Sequence, residues 1–189
     1  MISKMANKFI TFLERKKALS NASKEVYIYG ADIVLYTILS TLGLVLTGFV
    51  FGKTSESIII ILLFYFNQST GGGFHAKTHF KCFFLMFTGL SFALFLIELP
   101  RVFFSCVGLL SIAYLFSTPL VISPNRTHLE EKKEHLTKKA IGALKIEALI
   151  YIILLIVYLP TAFEAFSLGL FLSAVSRFAG QKVKHKKAD

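Results

Sequence analysis

Cysteine is scarce in this 189-residue chain: Cys82 and Cys106 are the only two, which argues against a disulfide framework and fits a reduced thiol on the cytoplasmic side. Acidic residues are also few, 11 against 21 lysines and arginines, and charged residues make up only 17% of the chain. With 54% hydrophobic residues and a mean hydropathy of +0.65, the sequence is too apolar for a soluble protein of this size and predicts a multispanning membrane protein. The net charge of +10 does not point to nucleic acid, because the basic residues sit in short gaps between apolar runs rather than on a separate soluble domain. No signal-peptide pattern opens the sequence: Lys4, Asn7, Lys8, Thr11 and Glu14 interleave its first apolar residues, so cleavage and export are not expected. No internal repeat is detectable either.

What is present is a series of long apolar runs. A helix needs roughly 20 residues to cross a hydrocarbon core, and the runs predict an all-α, polytopic membrane protein of about six transmembrane helices, over residues 27–51, 57–70, 80–99, 102–121, 143–159 and 161–179. All belong to one membrane-embedded domain, 1–189. Residues 1–26 precede the first span, and Ile2, Met5, Phe9, Phe12 and Leu13 recur there at helical spacing, with Lys4, Lys8, Arg15 and Lys16 mostly elsewhere around the helix. That pattern predicts an amphipathic helix lying in the bilayer interface, with an ordinary packed helix as the alternative. The second run is short unless it continues through Asn67, Gln68 and Ser69, which must then face protein or water. Pro119 and Pro124 end the fourth run, residues 130–139 read as a solvated, partly helical loop, and Pro160 hinges the last two runs.

The basic residues give this layout a direction. With six spans, 19 of the 21 lysines and arginines fall on one side and only Lys53 and Arg101 on the other. The positive-inside rule then places both termini and the loop before the third span on the cytoplasmic side of a cell membrane. Re-entrant second and fifth runs, leaving four spans, would weaken that alternation.

Reactive groups crowd together in one stretch, Gly71-Gly72-Gly73-Phe74-His75-Ala76-Lys77-Thr78-His79-Phe80-Lys81-Cys82. Histidine and cysteine together make a candidate base and nucleophile for acyl transfer. On one straight helix His75 and Cys82 would lie about 10 Å apart along the axis, so direct contact needs the chain to fold back. The glycines and a helix beginning near Thr78 could supply that fold. Cys82 would then feel the positive potential of a helix N-terminus, with Lys77 and Lys81 nearby, which favours the thiolate over a thiol of ordinary pKa about 8.5. His79, three residues before Cys82, competes for the role of base without any folding back.

Gly72-Gly73-Phe74-His75-Ala76, with Cys82 seven residues after the histidine, resembles the signature of the accessory gene regulator B (AgrB) family of bacterial membrane cysteine endopeptidases. The six-run hydropathy, the basic N-terminal segment and the Pro-Asn-Arg stretch at 124–126 are also similar, so the resemblance covers nearly the full chain. It implies His75 as catalytic base and Cys82 as nucleophile. It further implies cleavage of a short AgrD-like propeptide near its C-terminal end through a Cys82 thioester, followed by attack of the peptide's own cysteine to close a thiolactone, the precursor of a quorum-sensing peptide. The chain departs from the pattern at Gln68, where arginine is common, and at Met86, where serine is common.

Other residues could complete such a site. Asn67, Gln68 and the backbone N–H groups of Gly72 and Gly73 are candidate oxyanion donors, and Asp32, an acid inside the first span, could orient His75 or pair with a loop lysine. Glu147 has the same two readings. Lys132, Lys133, Lys138 and Lys139 could attract an acidic propeptide tail, or simply anchor topology against anionic lipid. No cofactor and no metal are expected; a metal-dependent membrane protease is the lesser alternative, since His75, His79 and Cys82 share one helical face but His-Ala-Lys-Thr-His lacks the glutamate that zinc proteases use. The competing class is a small peptide or solute transporter with Asp32 and Glu147 as ion-coupling groups. The partners expected are the propeptide and the lipid bilayer, with six short spans compatible with a homodimer.

Overall fold

The computed structural model describes residues 7–8, 10–12, 24–74, 76, 78–121, 133–157 and 159–185, and leaves the side chains of Lys24, His79, Lys133, Lys184 and His185 undescribed. It is helical almost throughout. Six long helices follow in order: α1 (Lys24–Val50), α2 (Thr54–Gly71), α3 (His79–Leu96), α4 (Arg101–Ser117), α5 (Lys133–Val157) and α6 (Pro160–His185). The chain forms two compact units, Met1–Gly43 and Leu44–Asp189.

In the first unit, residues 7–8 and 10–12 are helical, with Thr11 Oγ1 donating to the Asn7 carbonyl at 2.8 Å. Ile10 is buried while Asn7, Lys8 and Phe12 are exposed. Most of α1 lies in this unit, and its exposed Val34, Ile38, Leu39 and Leu42 form an apolar outer surface.

In the second unit the core collects Leu44, Ile60, Leu90, Leu94, Phe104, Leu115, Tyr151, Phe163 and Leu168. α6 is its central helix. Its apolar window is 56% buried against 28% for α5, and it packs chiefly on α2 and α4. Small residues make this possible: Ala165, Ser167, Ser173 and Ala174 are all buried on α6 and let neighbouring backbones approach. The outer faces carry exposed Phe49, Leu62, Phe95, Leu110 and Ile156, a surface suited to lipid rather than water. Glu25–Val50, Glu134–Val157 and Pro160–Val183, at 26, 24 and 24 residues, are long and apolar enough to cross a membrane, whereas Phe80–Leu96 and Arg101–Ser117 are apolar but shorter. Length and composition therefore qualify three helices as crossing segments, and the protein is a membrane protein.

Local chemistry explains the boundaries. Gly52, at φ 66°, turns α1 into α2. Pro160 occupies the first position of α6, where its missing N–H has no intrahelical partner to lose. α5 begins at Lys133, ahead of the expected span at 143, because this polar stretch is rich in helix formers and carries a Glu134–Lys138 pair at 2.8 Å one turn apart. The helix connections of this unit gather at two ends. At one, residues 71–74 meet Val121 and residues 176–180. At the other, Lys53 Nζ donates to the Leu94 carbonyl at 3.1 Å and pairs with Glu98 at 3.0 Å, while the Arg101 guanidinium donates to the Leu155 carbonyl and lies 5.7 Å from the Phe163 ring centroid. Lys53 and Arg101 thus place positive charge on the last turns of α3 and α5, where helix dipoles favour it.

Candidate active site

The triple glycine forms a strap between α2 and α3, and each glycine is needed for a different contact. α2 ends at Gly71, and Gly72 takes φ 68°, a backbone region that side-chain-bearing residues rarely enter. A Cβ on Gly71 would overlap the Arg177 guanidinium, and one on Gly72 would overlap the Val121 carbonyl. On Gly73 it would come within 2.6 Å of Gln68 Oε1 and Ser176 Oγ. The strap is fastened on both sides. Val121 N donates to the Gly71 carbonyl at 3.2 Å beside a parallel bridge to Gly72, and Phe74 N donates to the Ser176 carbonyl at 2.9 Å and to its hydroxyl at 3.1 Å.

Thr78 then starts α3. Its hydroxyl accepts from Lys81 N at 3.4 Å, and its carbonyl accepts from Cys82 N at 3.1 Å, which places Cys82 in the first turn, half-buried. The Ala76 backbone N–H is directed at the Cys82 thiol. The peptide that leaves the strap therefore folds back onto the nucleophile candidate, whereas six residues of straight helix would hold them about 9 Å apart. His75 and Lys77 lie outside the described residues, as does the side chain of His79.

The remaining candidates are distributed differently. Asn67 is buried, and its amide donates to Glu147 Oε1 at 2.9 Å and to the Leu63 carbonyl at 3.2 Å, so both its protons face the helix packing. Gln68 donates to Ser176 Oγ, and its Oε1 is buried with no hydrogen-bond partner. Asp32 lies in the Met1–Gly43 unit, half-buried. Glu147 is buried and bound to Asn67. Lys139 is exposed and Lys138 holds its exposed pair with Glu134, while Lys132 and the Lys133 side chain fall outside the description. Cys106 is exposed on α4. Among the described residues no group of three His, Cys, Asp or Glu could hold a metal ion.

Sequence reasoning missed the α6 contribution. Ser176, Arg177 and Gly180 form the back wall of the strap, and a Cβ on Gly180 would come within 2.9–3.0 Å of Gly73 and Phe74. The signal was available as a lone arginine inside an apolar run, with a glycine one turn later.

The family description that matches this chain is "Accessory gene regulator B", over residues 6–177. The chain belongs to the accessory gene regulator B family. No curated protein and no solved structure matches it. The AgrB match takes in the strap, Cys82 and the α6 wall as far as Arg177. AgrB membership fits a role in propeptide processing for agr quorum sensing and a peptidase-type enzyme, and it implies an AgrD-type propeptide as substrate.

Proposed function

We propose that the protein is a membrane cysteine endopeptidase that cleaves an AgrD-type propeptide and promotes its cyclisation, with Cys82 as nucleophile and His75 as base. The observation that carries this reading is the glycine strap fastened to Val121 and Ser176, which leads to Cys82 in the first turn of α3 with the Ala76 backbone N–H directed at its thiol. His75 removes the thiol proton, and the thiolate attacks the scissile carbonyl. Collapse of the tetrahedral intermediate breaks the C–N bond, His75 returns the proton to the departing amine, and a Cys82 thioester remains. The propeptide's own cysteine then attacks that thioester as a thiolate, Cys82 leaves as a thiolate, and a thiolactone results.

The N-terminal turn of α3 and Lys81 supply positive potential for both thiolates. Oxyanion donors are better sought in the backbone than in Asn67, whose amide is committed to Glu147 and Leu63. The N–H groups of His79 and Phe80, first in α3, have no intrahelical acceptor. Exclusion of water by the surrounding helices lets the internal thiol act before hydrolysis. On the positive-inside count the site faces the cytoplasm, and exposed Lys139, with its neighbours, attracts an acidic propeptide tail.

The test is co-expression with the AgrD-like propeptide encoded nearest to this protein, with peptide products weighed for wild type, Cys82→Ala, His75→Ala and His79→Ala. Cleavage lost in the first two variants and kept in the third is the expected result. Cleavage surviving Cys82→Ala would discard the mechanism and bring the metal-dependent or transport reading forward.

A further inference from the structure

α2 has no basic residue in its last turn, yet a cation sits at its C-terminus. Arg177 of α6 is the largest of the fully buried side chains among the described residues. Its Nη1 donates to the Leu115 carbonyl of α4 at 2.9 Å, and its guanidinium fills the space beside Gly71 that a Cβ would need. It also interacts electrostatically with Glu147 of α5, itself buried and held by Asn67 of α2 at 2.9 Å. Arg177 Nε and Glu147 Oε2 are buried with no hydrogen-bond partner. Arg177 thus links α6 to α4 through Leu115 and to the end of α2 at Gly71, while Glu147 links α5 to α2 through Asn67.

Burying a guanidinium is costly, and a Leu or Met of similar length would pack this position without that cost. A charge fits here because the carbonyl end of α2 carries negative potential. The neighbouring residue, Ser176, holds Phe74 on the far side of the glycines. Consecutive residues of α6 thus grip the strap at its beginning and at its exit.

We propose that Arg177 is a positioning residue for Cys82: its buried guanidinium, held by the Leu115 carbonyl and packed against Gly71, fixes where α2 stops and so sets the approach of the Ala76 peptide to the sulfur. The proposal rests on Cys82 being the nucleophile. Methionine at 177 keeps the bulk and loses the charge. Lysine keeps the charge but cannot donate to Leu115 while lying flat against Gly71.

The test uses the full chain in lipid nanodiscs, in a Cys106→Ser background so that alkylation reports Cys82 alone. Two readouts are taken: the pH profile of iodoacetamide alkylation, which needs no peptide, and kcat and KM for propeptide processing. Arg177→Met is expected to shift the alkylation profile and to lower kcat at least tenfold with KM changed less than twofold, and Arg177→Lys to recover part of both. If Arg177→Met does not fold, Gly71→Ala, which drives the guanidinium from its seat but leaves it in the protein, is expected to shift the same profile. A folded Arg177→Met or Gly71→Ala with the wild-type alkylation profile and kcat overturns the proposal. Processing that survives Cys82→Ala defeats the nucleophile reading and this proposal with it. Processing lost in Cys82→Ala while the Arg177→Met profile and kcat are unchanged defeats this proposal alone.

Discussion

Replacing Gly72 with alanine adds one methyl group to a residue at φ 68°, directly against the Val121 carbonyl. The unfavourable backbone region costs of order 1–3 kcal/mol for a residue with a Cβ. The methyl also forces Val121 away, forfeiting its hydrogen bond to Gly71, worth about 0.5–1.5 kcal/mol. Together these come to roughly 2–4 kcal/mol, all of it falling on the strap in its closed form. At about 1.4 kcal/mol per factor of ten, the ratio of closed to open strap falls about 30- to 1,000-fold. The core cluster around Leu44, Ile60, Leu90 and Phe104 is untouched, so the thermal midpoint should move by only a few degrees. The assay is propeptide cleavage by purified Gly72→Ala, beside circular-dichroism melting of the same sample. Processing reduced tenfold or more in a protein that melts normally is the expected outcome. Wild-type cleavage by folded Gly72→Ala would refute the idea that a fastened strap organises the site.

Gly142 provides the opposite case: its Cβ would meet nothing within 4 Å, so Gly142→Ala should stabilise α5 by about 0.5–1 kcal/mol and leave processing unchanged, read by melting and cleavage assays. Asn67→Ala removes the hydrogen bond that, among the described residues, holds the buried Glu147, and is expected to cost about 1.5–3 kcal/mol in chemical denaturation. Glu98 is largely exposed, so Glu98→Gln should cost under about 1 kcal/mol, whereas Lys53→Ala, which also uncaps the Leu94 carbonyl, should cost more in the same melts. Neutralising Lys132, Lys133, Lys138 and Lys139 together should weaken processing more at low salt than at high salt, and equal loss at all ionic strengths would rule out attraction of an acidic tail.

The helices were legible because apolar runs bounded by Gly52, Pro100, Pro119 and Pro160 leave little choice about where the chain must turn. The polar end of α2 was legible in part: Asn67 and Gln68 had to face protein or water, and they face protein, against Glu147 and Ser176. Their partners were not legible, since the pairings span 80 and 108 residues and no local pattern specifies which side of α5 or α6 meets α2. Arg177 illustrates the limit. Its place inside an apolar run marks it as unusual, but only the packing of α6 between α2 and α4 shows which helices it meets.

That dependence on α6 has a consequence for biosynthesis. Phe74 and Gln68 wait for Ser176, more than 100 residues downstream. At about 5–20 residues per second, a ribosome needs roughly 5–20 s to make that length of chain. During this interval α2, the glycines and Cys82 already exist without the wall that fastens them. A nascent chain therefore carries its thiol before it carries the wall of the strap, and the arrangement described above is complete only when the last helix docks.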